Sequence, residues 1–289
     1  MDNSHIATHG MMRRFLSQRK LVALSLLGLM LILFAAIFAP LIAPFDPMRQ
    51  CLPARLQVPT MESDTGPAHV LGTDLMGRDI LSYIFYGLRV SLVVGFGAVL
   101  VSAFLGMFLG MIAGYFGGIL DTIIMRLADV QMAVPVIVVA LFVMAIFGKG
   151  LGKLVLVIGV TGWAVYARAM RACVLSVREK DYIEAQRALG TSEIRIILRH
   201  ILPNVLTPIL VLSAVQLPRI IMLEATMSFL GMGVPILTPS LGIAIANGQK
   251  VLYSGAWWVS VFPGITLAAI TVNINIVADW LRDVLDPRA

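Results

Sequence analysis

REKDYIEAQRALGTSEIRIILRHILPN, residues Arg178–Asn204, is the longest charged run in a chain whose remainder is close to continuous hydrocarbon. The segments on either side are apolar enough to cross a bilayer, so the run itself reads as a loop in water. Up to Leu189 it favours helix, through Glu179, Glu184, Ala185, Gln186, Arg187 and Ala188, and Gly190 supplies the permissive backbone that ends one. Thr191 and Ser192 then offer capping oxygens. Ile194, Ile197, Leu198 and Ile201 follow at i, i+3, i+4 and i+7 as one apolar stripe, with Arg195 and Arg199 pointing elsewhere and Pro203 as the stop. The spacing predicts a helix, a glycine corner and an amphipathic helix. Such a stripe lies either on the membrane surface and the protein's own helix ends, or in a groove on a soluble subunit. Periodicity alone favours the first, since amphipathic helices commonly lie at interfaces.

Composition agrees with the membrane setting. An apolar fraction of 59%, 13% charged residues and a mean hydropathy of +0.91 would force a soluble fold to expose much of its hydrocarbon. The net charge of +6 does not point to nucleic acid, because the basic residues are dispersed between apolar segments rather than gathered in a stripe. Cys51 and Cys173 fall on opposite sides of the membrane in the topology below, which rules out a disulfide between them.

Six spans are expected: Leu21–Ala43, then Val90–Gly114, Val134–Phe147, Leu154–Ala167, Leu206–Ala225 and Val259–Ala278. The third and fourth are short for a bilayer of about 30 Å and call for flanking helix, which Ile119–Met132 can supply for the third, with a kink at Pro135. The first span, although preceded by Arg13, Arg14, Arg19 and Lys20, is expected to remain uncleaved, since prolines follow Ala39 and Ala43. Lysine and arginine concentrate in the N-terminal tail and between Arg168 and Arg199, so both regions belong in the cytoplasm. An even number of spans agrees, leaving both termini inside. The expected layout is a tail at 1–20, the first span at 21–43, an extracytoplasmic segment at 44–89, a core at 90–278 containing the loop at about 173–204, and a tail at 279–289. Lys149 and Lys153 are the exceptions, because this scheme places them outside.

Three features inside the spans stand out. Ala98, Ser102, Gly106, Gly110, Gly114 and Gly118 recur every four residues on one face of the second span, a surface where another helix backbone comes very close, within this chain or on a partner subunit. Arg219 and Glu224 follow Pro218 in the fifth span, five residues apart and so on different faces. Charges at membrane depth mark pathways or bridge helices, and the structural role is favoured here. Asn273 and Asn275 in the last span read as interhelical hydrogen-bond donors.

Glu184-Ala185-Gln186, then Gly190, then His200-Ile201-Leu202-Pro203 resembles the EAA loop of binding-protein-dependent ABC importer permeases, with Gln186 where alanine is usual. Further stretches are similar to the dipeptide, oligopeptide and nickel branch of that family. They are Leu71-Gly72-Thr73-Asp74 with Gly77-Arg78-Asp79, Gly87-Leu88-Arg89-Val90-Ser91-Leu92, Gly114-Tyr115-Phe116-Gly117-Gly118 with Met125-Arg126 and Asp129, Ser228-Phe229-Leu230-Gly231-Met232-Gly233, Phe262-Pro263-Gly264, and Asp279-Trp280-Leu281-Arg282-Asp283-Val284-Leu285-Asp286-Pro287. Leu241 and Ala278 stand where that branch usually has tryptophan and glycine. The resemblance implies an all-α, six-helix type I (MetI-like) permease of the bacterial inner membrane, importing peptides or a related small solute such as a nickel chelate. It implies a homologous second permease, two cytoplasmic ATPases that hold ATP and magnesium, and an extracytoplasmic binding protein. Tyr182, Glu184, Ala185, Gln186, Ala188, Leu189, Gly190, Thr191, Ser192, Ile194, Ile197, Leu198 and Pro203 become the set expected to meet the ATPase.

The rival readings need residues this chain does not offer. Gly148-Lys149-Gly150-Leu151-Gly152-Lys153-Leu154 imitates a phosphate loop, but Phe147 occupies the first glycine position and Leu154 the place of the magnesium-binding Ser or Thr. It reads as a glycine turn, so ATP must be hydrolysed on another chain. His5, His9, His69 and His200 all lie outside the spans and no HExxH occurs, which leaves no intramembrane protease site, metal site or catalytic residue. A secondary transporter would need ion or proton carriers near the midplane, where the spans offer only Arg219 and Glu224. Uptake that survives without ATP but collapses with the ion gradient would favour that alternative.

Overall fold

The computed structural model describes residues 4–61, 68–235 and 237–285, with side chains from Lys20 onward. The tail charges Arg13, Arg14 and Arg19, the acids Glu62 and Asp64, and tail residues 286–289 lie outside the described side chains. Helices account for most of the described residues, in the order α1 (Ser4–Ile37), α2 (Ala39–Ile42), α3 (Ile80–Phe116), α4 (Gly118–Ala133), α5 (Val136–Phe147), α6 (Leu151–Thr161), α7 (Trp163–Arg178), α8 (Asp181–Ala188), α9 (Glu193–Ile196), α10 (Leu202–Phe229), α11 (Leu241–Gln249) and α12 (Trp258–Leu285). Among the described residues no strand forms beyond one isolated bridge between Thr73 and Asp79.

Four helical stretches are long and apolar enough to cross a membrane, and the count reaches six when each of two bent pairs is taken as one crossing. The pair α4–α5 turns through 87° at Pro135, where the missing N–H and fixed φ make the break expected from the sequence, but sharper than a kink. The pair α6–α7 turns through 41° at Gly162. The short apolar stretches expected as spans three and four are thus each continued by flanking helix, α7 running on from α6 at 41° while α4 lies nearly perpendicular to α5.

The second span is longer than its hydropathy suggests. Asp79 caps α3 by accepting a hydrogen bond from the Ser82 N–H at 2.7 Å, so the helix starts ten residues before Val90 and runs 37 residues, about 55 Å. Residues 80–89, expected as loop, are therefore its first turns. The preceding segment folds tightly on that end. Arg78 Nε donates to Asp74 Oδ2 at 2.7 Å, His69 Nδ1 meets Asp79 Oδ1 at 2.9 Å, and the indole of Trp258 donates to the Thr73 carbonyl at 3.2 Å.

The small-residue face of α3 is where the bundle closes on itself. A Cβ built at Gly110 would collide with the Ala167 carbonyl and reach Met170 Cβ at 2.7 Å; at Gly114 it would stand 2.9 Å from Val174 Cβ. A Cβ at Gly106 would strike Tyr166 and the Trp163 carbonyl, and Ser102 Oγ donates to the Gly159 carbonyl at 2.7 Å. Ala98 is buried beside Gly159. The alternatives left open by the sequence resolve to an intrachain contact of α3 with α6 and α7. Gly118 is the exception: α3 has ended at Phe116, and a Cβ there would meet nothing within 4 Å.

The glycine-rich turn at 148–150 joins α5 to α6. Lys153 Nζ donates to the carbonyl of Phe147 at 2.6 Å, so its charge is used at the negative end of α5. That local role accounts for a lysine at the bundle end away from Arg178–Asn204.

Candidate functional site

Residues 178–204 form an elbow at one end of the bundle. The α8 helix stops at Leu189 in a tight reversal. Gly190 takes φ +76°, its N–H donates to the Arg187 carbonyl at 2.9 Å, and the Thr191 N–H reaches back to the Gln186 carbonyl at 3.1 Å. This pair of bonds is the Schellman arrangement, which requires a left-handed residue at its centre and explains the glycine. Gln186, the departure from the usual alanine, bonds the Thr191 hydroxyl at 3.0 Å across the same turn. Thr191 therefore ties backwards rather than capping forwards, and Ser192, although it occupies the N-cap of α9, makes no capping bond through its side chain.

Beyond the corner the structure departs from a single amphipathic helix. The four residues of α9 widen into a π-turn at Ile197–Ile201, in which the Leu202 N–H donates to the Ile197 carbonyl, five residues back. Pro203 does not stop the helix. It sits in the first turn of α10, where its missing N–H is no loss, and the wider turn moves the preceding carbonyls away from its ring. The expected stripe also divides. Ile201 is buried and Ile197 half-buried, while Ile194 and Leu198 are 71% and 59% exposed. The inward anchors are Ile183 and Ile196, both fully buried against Met170, Val174 and Val205, and neither was part of the stripe. Tyr182, Glu184, Ala185, Ala188, Leu189 and Pro203 all face outward, with Leu189 at 77% exposure. The elbow thus holds itself by Ile183, Ile196 and Ile201 and leaves Tyr182, Leu189, Ile194 and Leu198 uncovered.

Polar bonds clamp the elbow to the end of α3. Arg178 Nη1 donates to the carbonyls of Gly114 and Tyr115 at 3.2 and 2.9 Å, satisfying the last turn of α3. The Tyr115 hydroxyl donates to Glu193, whose other oxygen is 3.8 Å from Arg187 Nε, and the Arg187 guanidinium lies 5.6 Å over the Tyr115 ring. Arg171 pairs with Asp121 through two hydrogen bonds, and Arg168 with Asp129, joining α7 to α4. The sequence singled out Tyr115 and Asp129 only within longer motifs, and the arginines only as orientation charges. Their pairing depends on contacts 39 to 78 residues apart, which no local pattern carries.

The polar residues of the spans separate into different environments. Glu224 is 0% exposed and accepts from Ser91, Ser228 and Ser240 at 2.8, 2.8 and 3.1 Å, pinning α3 and the start of α11 to α10. Arg219 is exposed and has no ion-pair partner among the described residues. Asn273 donates within its own helix, to Ala269 at 2.7 Å, with its amide oxygen against Gly28 of α1; Asn275 is exposed. Neither bridges helices as a donor among the described residues.

Fold and elbow define a polytopic helical membrane protein with a rigid polar corner, carrying uncovered apolar side chains, at one end of its bundle. Residues 106–289 match the inner membrane component of binding-protein-dependent transport systems, and residues 9–59 match the N-terminal transmembrane domain of oligopeptide transport permease C. The chain belongs to this family and is a permease subunit of an inner-membrane ABC importer. A dipeptide transport system permease protein of Escherichia coli K12 is 39% identical over 274 residues, 95% of this chain and 91% of that one. Its counterpart in Haemophilus influenzae is 37% identical over 91% of this chain and 90% of its own length. An inward-facing structure of the MetNI methionine ABC transporter shares the fold, with a TM-score of 0.52 and 20% identity over 70% of this chain and 94% of that chain.

Proposed function

We propose that this chain is one half of the pathway of an importer for dipeptides or other short peptides, and that the elbow at Gly190 is where an ATPase subunit grips it. The relatives with most of their length in common are named as dipeptide or peptide permeases, which supports the cargo. The observation that carries the coupling role is the division of the elbow. One side is locked to α3 and α7 through Ile183, Ile196, Arg178 and Glu193, while Leu189, Ile194 and Leu198 stay uncovered. An element so fixed moves with the helices it holds and retains an apolar surface for a soluble partner.

In this reading both termini and the elbow face the cytoplasm, and a second, homologous permease completes the pathway. Two ATPase subunits supply the ATP and magnesium chemistry, and an extracytoplasmic binding protein delivers the peptide. Closure of the ATPase pair displaces the elbow, and the spans rock between inward and outward access. The ATPase drives the change only insofar as its two states fit the elbow differently.

The test is the complex reconstituted with all companion subunits. Glu184→Lys, on the exposed face of α8, is expected to insert normally and to lose stimulation of ATP hydrolysis by loaded binding protein. Normal stimulation in both Glu184→Lys and Gly190→Pro overturns the docking role. Uptake driven by an ion gradient without ATP overturns the importer itself.

A further inference from the structure

Arg219 is the charged group left unaccounted for by the fold. It lies 17 residues from the start of α10 and 10 from its end, about 26 Å and 15 Å along the axis, and so within the depth of a bilayer about 30 Å thick. A guanidinium facing lipid at that depth is strongly unfavourable, so its face of α10 must meet water or a counter-charge. Within the sequence the nearest carboxylate is Glu224, which is fully buried and engaged by three serines. Five residues separate the two, so they do not share a helix face. Gln216 sits three residues before Arg219 on the same side of α10, and among the described residues it too has no hydrogen-bond partner. The helix packs on α3, α5, α7, α11 and α12; near its middle Arg219 and Met222 stay exposed, with Gln216 half-buried beside them.

We propose that Arg219, with Gln216 beside it, lines the translocation pathway and takes the carboxylate of the transported solute, for a peptide its C-terminus. A guanidinium fork and an amide N–H₂ one turn apart offer parallel donors to the two oxygens of one carboxylate. A free peptide crossing the membrane must bring that negative charge with it, and this chain provides the complementary cation. The assignment to a peptide rests on the function proposed above; that Arg219 faces an aqueous path does not.

Two measurements on the complete transporter in proteoliposomes test it. In a background carrying Cys51→Ser and Cys173→Ser, the Arg219→Cys variant is treated with a charged, membrane-impermeant thiol reagent. Modification that is slowed by alanyl-alanine in the presence of ATP is expected. No modification in any nucleotide state means the face is covered, and overturns the proposal. ATP-driven uptake of alanyl-alanine is expected to fall about tenfold or more in Arg219→Gln and to recover largely in Arg219→Lys, as for loss of a charge-assisted bond. Wild-type uptake in Arg219→Gln overturns the proposal. So does dissociation of the permease pair in that variant, which would assign the counter-charge to the companion permease. If the wild-type complex takes up no alanyl-alanine, the cargo reading fails and the thiol measurement still decides the placement of Arg219.

Discussion

Replacing Gly190 isolates the bend of the elbow from every other property of the protein. The residue is exposed, and a Cβ added to it would meet no atom within 4 Å, so substitution perturbs the backbone and not the packing. An L-residue at φ +76° is disfavoured by about 1–2 kcal/mol, a five- to thirtyfold shift against the bent loop. The two reversal bonds, from Gly190 to Arg187 and from Thr191 to Gln186, contribute roughly 1 kcal/mol each, so alanine leaves the bend marginal. Asparagine, which tolerates the left-handed region, is expected to stay near wild type. Proline holds φ near −65° and removes the N–H given to Arg187, so it forbids the bend outright. The expected order of ATPase stimulation by loaded binding protein is therefore Gly, then Asn, then Ala, then Pro, with unchanged membrane insertion and melting temperature across the series. Full stimulation in Gly190→Pro refutes the argument. An alanine variant as damaged as proline refutes it too, since that would mean the site senses bulk rather than backbone.

The other expectations concern the bundle and its link to the elbow. Gly110→Leu pushes a side chain into the Ala167 backbone and is expected to lower stability by about 3 kcal/mol or more, read as a fall in melting temperature in detergent or as poor insertion. Glu224→Ala strands three serine hydroxyls and is expected to cost about 3 kcal/mol; the isosteric Glu224→Gln should recover most of it, and equal melting temperatures for all three proteins would refute the pin. Tyr115→Phe keeps the ring beneath Arg187 but removes the hydroxyl given to Glu193. It is expected to weaken stimulated ATP hydrolysis several-fold with little change in melting temperature, and an unchanged turnover would remove Tyr115 from the linkage.

Much of the architecture is legible in the sequence, because hydrocarbon length and the charge of loops are local properties. The apolar runs, the break at Pro135, the corner at Gly190 and the close approach along Gly106, Gly110 and Gly114 all follow from residue type at short spacing. Length was the weaker quantity. Hydropathy begins the second span at Val90, but the Asp79 cap begins its helix at Ile80, since a helix continues past the bilayer wherever capping and packing support it.

Residue type and spacing are enough to define a multispan membrane protein with one bent, charged loop carrying an apolar stripe. Only the packed chain shows which stripe residues turn inward, because the elbow carries apolar side chains on both its inward and its uncovered side and periodicity cannot tell the two apart. It shows likewise that Glu224 is enclosed by serines from three segments while Arg219, five residues away, is left open. Such partnerships join residues up to 133 positions apart, and only the packed chain brings them within hydrogen-bonding distance.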